Sequence, residues 1–72
     1  MRAVLQTFDN SDGTATACRA TVYDDAGRVI GTHQTRYYRT YPRMVRASNE
    51  AENAVRLFAR KRLMTCVIEH KP

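Results

Sequence analysis

The chain has 72 residues, of which 43% are hydrophobic and 26% are charged, and its formal net charge is +5 with a sequence pI near 9.8. This composition excludes wholesale disorder. The length predicts a single domain, close to the smallest size that folds without disulfides or a bound metal. No segment has the length and apolar character of a signal peptide or membrane span, so we expect a cytosolic protein with no membrane partner.

The first half of the chain predicts three strands. Residues 2–8 form the first strand and end in the turn sequence of residues 9–13. Residues 14–24 alternate, with Cys18, Ala20 and Val22 on the apolar side. Residues 28–38 return as a third strand. The sequence therefore predicts a hairpin between the second and third strands, connected by residues 24–27.

Two glycines mark special positions in this hairpin. Gly27 ends the sequence Asp-Asp-Ala-Gly, which fits a type I turn followed by a residue in the left-handed conformation. Gly31 interrupts the third strand, which indicates a bulge or a close approach of another group to the backbone.

Residues 48–61 have the only clear helical period in the chain. Ser48 and Asn49 are equally suitable N-caps, Glu50 and Glu52 follow in the first turn, and basic residues occupy the last turn. The apolar stripe consists of Ala51, Ala54, Val55 and Phe58. We predict an irregular basic loop for residues 40–47, because Pro42 and the tyrosines before it disfavour regular structure.

The last strand is predicted for residues 64–69, with Met64, Cys66 and Ile68 facing inward. The predicted order is β-β-β-α-β. A single helix must then cover whatever sheet the strands build, so we expect an α+β fold with an antiparallel-rich sheet and the helix packed on one face.

Patterns that carry catalysis, cofactors or metals are missing. The glycine of the first turn does not fit a calcium loop, because aligning it places Phe8 and Arg19 at ligand positions. There is no phosphate-binding glycine loop, dinucleotide fingerprint or nucleophile motif. The cysteines and histidines lack the close paired spacing of zinc sites; these residues are Cys18, His33, Cys66 and His70. We therefore predict a protein that is not an enzyme and has no cofactor.

Both cysteines are expected to be reduced and buried as small apolar residues in a cytosolic protein. A disulfide between Cys18 and Cys66 is the alternative, if their strands are neighbours and the compartment is oxidising.

Arginine and tyrosine are interleaved between residues 36 and 43, and the stretch from Ala26 to Asn49 contains no acidic residue. Arginine can make bidentate contacts to phosphate or carboxylate, and tyrosine can stack or hydrogen-bond. This segregation of basic from acidic residues therefore favours a polyanionic or acidic partner. The alternatives are a solvated basic surface and tyrosines that pack on the core. We call the candidate residues the Arg/Tyr strip: Arg36, Tyr37, Tyr38, Arg39, Tyr41, Arg43 and Arg46, with Arg56 and Arg60 contributing from the helix.

Residues 27–35 (GRVIGTHQT) followed by residues 49–54 (NEAENA) resemble the arm-type DNA-binding domain of tyrosine integrases. This resemblance implies a three-stranded sheet that precedes a helix and enters the major groove of DNA. The present chain differs by an insertion at residues 37–48 and by an added strand at residues 63–69.

In size, fold pattern and segregated charge, the chain is also similar to phage inhibitors of bacterial defence of the anti-CRISPR kind. This resemblance implies a stoichiometric inhibitor that engages a nucleoprotein complex. A stand-alone DNA- or RNA-binding module is the second hypothesis. A structural accessory or a homodimer formed through an exposed sheet edge is the third.

Overall fold

The computed structural model describes residues 1–72 and shows a four-stranded sheet with one helix packed on it. The elements are β1 (Arg2–Asp9), β2 (Thr16–Tyr23), β3 (Val29–Gln34), α1 (Arg43–Lys61) and β4 (Val67–Lys71). The predicted α+β class and the predicted order β-β-β-α-β are both confirmed. No helix in the structure combines the length and apolar character needed to cross a membrane.

The sheet order is β3-β2-β1-β4. β2 pairs antiparallel with both β1 and β3, whereas β4 returns from the helix to pair parallel with β1. The sheet is therefore antiparallel-rich, as predicted, and β3 and β4 are its two edges. Formation of a homodimer through one of these edges remains a prediction.

The core lies between one face of the sheet and α1, and most of it is built from small side chains. The fully buried positions on the sheet include Ala3, Ala20 and Cys18, and the helix contributes a buried residue at every fourth position. Those helix residues are Ala47, Ala51, Val55 and Ala59. Leu5 and Val55 are the largest fully buried side chains. Because alanine projects little beyond its backbone, the helix can lie close to β2.

The hairpin of β2 and β3 forms as predicted. The Gly27 N–H donates to the Asp24 carbonyl at 3.0 Å, and Gly27 has a φ of 82°, as the turn type requires. Gly31 combines both predicted features: the pairing register shifts by one residue beside it, and a β-carbon there would lie 3.2 Å from Cε2 of Phe58. The glycine thus makes room for an aromatic ring from the helix.

The predicted start of the helix is wrong. The helix begins at Arg43, with Pro42 at the N-cap position and no side-chain cap, so neither Ser48 nor Asn49 is a cap. The first turn contains no acidic residue, whereas Arg60 and Lys61 occupy the last turn as expected. Proline is tolerated at a helix N-terminus because its missing N–H would have no partner there. Residues 43–47 of the predicted irregular loop, which spanned residues 40–47, therefore belong to α1.

The bounds of the last two strands also differ from the prediction. β3 stops at Gln34 rather than residue 38, although Tyr38 still makes an isolated bridge to Thr16. β4 begins at Val67 because the helix closes with Leu63 in the left-handed region, which turns the chain before the strand begins. Ile68 and Cys66 pack against the core, whereas Met64 is exposed rather than inward-facing.

Candidate functional site

The Arg/Tyr strip starts on the segment between β3 and α1, which is held against β2. The Thr35 hydroxyl accepts a hydrogen bond from the Cys18 N–H at 2.9 Å, and the Thr35 backbone N–H donates to the Cys18 carbonyl. Tyr38 exchanges two backbone hydrogen bonds with Thr16, at 2.8 and 2.9 Å. The strip therefore follows a path that is anchored to the sheet.

Tyr38 and two arginines of the strip interact mainly with one another. The Arg36 guanidinium carbon lies 4.9 Å from the Tyr38 ring centroid and that of Arg46 lies 5.6 Å from it. Arg36 also faces Glu50 at 3.8 Å. The Tyr38 ring itself is half-buried and packs against the core. This tyrosine supports the fold, and its two arginines form a cationic ridge on the helix side.

A groove forms where the strip enters the helix, and we call it the entry groove. It has a volume of about 580 Å³ and is lined by Thr16, Arg39, Tyr41, Pro42, Arg43, Met44 and Val45. Tyr41 is 90% exposed and Met44 is 61% exposed. No acidic residue lines the groove. Exposed apolar side chains bordered by arginine have the composition of a binding surface.

The arginines of the entry groove are held by the turn between β1 and β2. Arg39 Nη1 donates to the Thr14 hydroxyl at 2.9 Å, and Arg43 Nη1 donates to the Gly13 carbonyl at 3.3 Å. Neither contact neutralises an arginine, because both acceptors are uncharged. These two hydrogen bonds therefore orient the arginines without cancelling their charge.

The same turn is stiffened by its own side chains. Asn10 Oδ1 accepts hydrogen bonds from the backbone N–H groups of Thr14 and Ala15, at 2.9 and 3.0 Å. The Thr14 hydroxyl donates to Asp12 at 2.7 Å, and this hydrogen bond lowers the pKa of the Asp12 carboxyl. Asp12 is thus ionised at neutral pH, beside Arg39 but outside the groove lining.

The remaining strip residues do not reach the entry groove. Tyr37 projects to the other side of the sheet, where its ring meets Phe8 edge-to-face with centroids 6.0 Å apart. Arg56 is paired with Glu52 at 2.6 Å, and Arg60 lies in the last turn of α1. At 1.5 Å per residue, Arg60 is roughly 25 Å along the helix from Arg43. The structure therefore separates the predicted strip into distinct groups.

A second polar surface was missed by the sequence interpretation. The pairing register places alternate residues of the strands on the face of the sheet opposite α1, which we call the helix-free face. Its cations and rings are Arg2, Phe8, Arg19, Tyr23 and Lys71. The signal was present in the sequence, because Arg19 and Tyr23 alternate with the apolar residues of β2. Strand pairing is what makes this alternation a surface, because β1 and β4 place further cations beside Arg19 and Tyr23.

The thiol and imidazole groups do not assemble into a metal site. No group of three or more histidine, cysteine or acidic side chains has the spacing to hold an ion. Both cysteines are free, and β1 lies between β2, which carries Cys18, and β4, which follows Cys66. Burial raises the pKa of the Cys18 thiol, which keeps the group protonated and unreactive.

Comparison of the chain with protein-family models, with curated proteins and with solved structures finds no match.

Proposed function

We propose that this chain is a non-enzymatic binding protein that engages a nucleic-acid-handling complex, as inhibitors of the anti-CRISPR kind do. The observation that carries the proposal is the entry groove, which exposed Tyr41 and Met44 line together with Arg39 and Arg43 and which has no acid in its lining. The free thiols of Cys18 and Cys66 are consistent with a cytosolic location for this encounter.

The chemistry of the groove favours an acidic protein segment that carries an apolar side chain. Tyrosine and arginine dominate the energetics of protein interfaces, and a ring that is 90% exposed in the free protein can be buried fully on binding. Carboxylates of the partner would meet Arg39 and Arg43, which are already oriented by the β1–β2 turn. Less side-chain freedom is then lost on association.

The charge distribution of the chain supports a partner that handles nucleic acid. A net charge of +5 accelerates encounter with a polyanion or with an acidic protein surface. The acid-free stretch from Ala26 to Asn49 supplies the groove and the Arg36–Tyr38–Arg46 ridge beside it.

The test is a cleavage assay with a panel of purified RNA-guided nuclease complexes. We expect the protein to inhibit at least one complex, and Tyr41→Ala to weaken that inhibition by about thirtyfold or more, the effect of losing a hot-spot residue. Leu57→Ala is the control, because Leu57 is an exposed apolar residue of α1 that does not line the groove. Inhibition that is insensitive to Tyr41→Ala and to Arg43→Glu would reject the groove as the contact surface.

A stand-alone module that binds duplex DNA or RNA is the second candidate, since Arg39 and Arg43, whose hydrogen-bond acceptors are uncharged, could also meet phosphates. Binding of labelled duplex DNA at two salt concentrations separates the two. A steep loss of affinity with salt that flattens in Arg39→Gln and Arg43→Gln would favour the module. Feeble duplex binding at low salt would favour the protein partner.

A further inference from the structure

The helix-free face presents rows of polar side chains that run across the strands. Gln6 on β1 stands between Arg19 on β2 and Lys71 on β4. Because neighbouring strands are about 4.8 Å apart, Arg19 and Lys71 are attached roughly 10 Å from each other. A shallow cavity of about 110 Å³ lies on this face and includes all three residues together with Tyr23 in its lining.

Aromatic rings flank these cations at both ends of β1. Tyr23 is paired with Arg2 at one end, and Phe8 lies at the other, about 20 Å away by the rise of the strand. Each ring is half-buried and is covered by an arginine: Arg2 lies 4.8 Å from the Tyr23 centroid, and Arg19 lies 5.1 Å from that of Phe8. Tyr37 extends the cluster beyond Phe8.

We infer that the helix-free face binds single-stranded nucleic acid. A base that stacks on Tyr23 or Phe8 would displace the covering arginine, and the released guanidinium could then turn to a phosphate. The exchange is favourable because stacking on a base is stronger than an exposed cation–π contact. The two rings lie at opposite ends of β1, and cations lie between them. This arrangement suits an extended nucleic-acid strand, which carries one negative phosphate per nucleotide.

A single strand fits this surface better than a duplex does. Rings on the face of a sheet can stack only on bases that are unstacked and splayed outward, whereas a duplex keeps its base faces covered. The acid on the face is Glu69, which is paired with Arg2 at 3.7 Å. Arg19 and Lys71 are not ion-paired, since Arg19 donates only to the neutral Gln34 side chain and Lys71 makes no salt bridge.

This inference goes beyond the proposed function, because it uses a different surface and different residues from the entry groove. The face could bring the protein to the exposed strand of a nucleoprotein complex while the groove contacts protein. Each site is tested by its own substitutions, so failure of one does not affect the other.

The experiment measures binding of a fluorescent oligothymidine of about ten nucleotides by anisotropy, at low and at physiological salt. We expect Tyr23→Leu to weaken binding at least fivefold, and Tyr23→Phe, which retains the ring, to restore it. Arg19→Gln should lower the slope of log affinity against log salt by about 0.7, the value for one phosphate contact on a single strand. Lys61→Gln, on the opposite side of the sheet, is the matched loss of one charge and should leave the slope unchanged.

Glu69→Gln provides a gain-of-function arm. Removing this carboxylate frees Arg2 and eliminates repulsion of phosphate, so binding should tighten at low salt, an effect that misfolding cannot produce. Absence of oligothymidine binding at low salt would overturn the inference. Binding that is indifferent to Tyr23→Leu and Arg19→Gln but abolished by Arg43→Glu would overturn it as well, by assigning the strand to the entry groove.

Discussion

Replacing Leu5 by alanine tests the core that joins the helix to the sheet. Leu5 is 1% exposed, and most other residues of the buried cluster are alanine or cysteine, so few large side chains share its role. The same substitution can be made at Leu63, which is 95% exposed just beyond α1. The two variants lose identical atoms from opposite environments, which makes the second a matched control for the first.

The expected magnitude follows from burial. A fully buried leucine replaced by alanine costs about 2–5 kcal/mol, because transfer free energy is lost and a cavity remains. A domain of this size is stable by roughly 4–11 kcal/mol in total. A loss of about 3 kcal/mol would lower Tm by roughly 12–24 °C, whereas Leu63→Ala should shift it by no more than a few degrees.

Thermal and urea unfolding, both followed by circular dichroism, supply the measurement. Equal m-values for the three proteins would show that the difference in midpoint reflects stability rather than a change in compactness. If Leu5→Ala were no less stable than Leu63→Ala, Leu5 would not lie in the core, and the packing of α1 on the sheet described above would be incorrect.

Three further outcomes are expected. Gly31→Ala should destabilise the fold by about 1 kcal/mol, because the added carbon approaches the Phe58 ring, and Phe58→Leu in the same chain should remove most of that penalty in a double-mutant cycle. Leu63→Gly should stabilise the protein by about 0.5–1 kcal/mol in urea unfolding, because Leu63 has a φ of 53° at the helix end. The raised pKa of Cys18 means that the folded state holds the thiol proton more tightly than the unfolded chain does. Stability should therefore be complete below the unfolded value of about 8.5 and fall as the pH rises above it, a fall that Cys18→Ala removes and Cys66→Ala preserves.

The hairpin could be predicted because its determinants are local. Asp24 and Gly27 specify the turn, and the alternation of Cys18, Ala20 and Val22 specifies the buried side of β2. Each of these signals acts within a few residues of the feature that it determines. The end of the helix at Lys61 was equally local, because the next residue, Arg62, would place a charge on the apolar face.

The start of the helix could not be read in the same way. Ala47 continues the buried stripe beyond Ala51 toward the N-terminus, but alanine is a weak hydrophobic signal, and Pro42 suggested a break. The proline instead marks the boundary itself, directly before Arg43. Polar residues that resembled caps then fall inside the helix, where Glu50 faces Arg36 and Glu52 pairs with Arg56.

The candidate sites show the limit of reasoning from neighbouring residues. The sequence placed arginine and tyrosine together along the chain, and the structure distributes them over the entry groove, the Tyr38 ridge and the two sides of the sheet. The helix-free face shows the converse: Arg2, Arg19 and Lys71 are distant in sequence and are brought together only by strand pairing. A surface assembled by topology has no contiguous motif.

The parallel pairing of β1 with β4 has a consequence for the order of folding. The two hairpins of β1, β2 and β3 close short loops, whereas the register of Arg2 with Val67 joins positions near opposite ends of the described chain. Contacts of such separation form late, because a large loss of chain entropy must precede them. Until β4 arrives, the outer edge of β1 offers unpaired N–H and C=O groups to any other extended segment. We therefore expect refolding yield to fall as protein concentration rises, because β4 of one molecule can pair with the open edge of β1 in another.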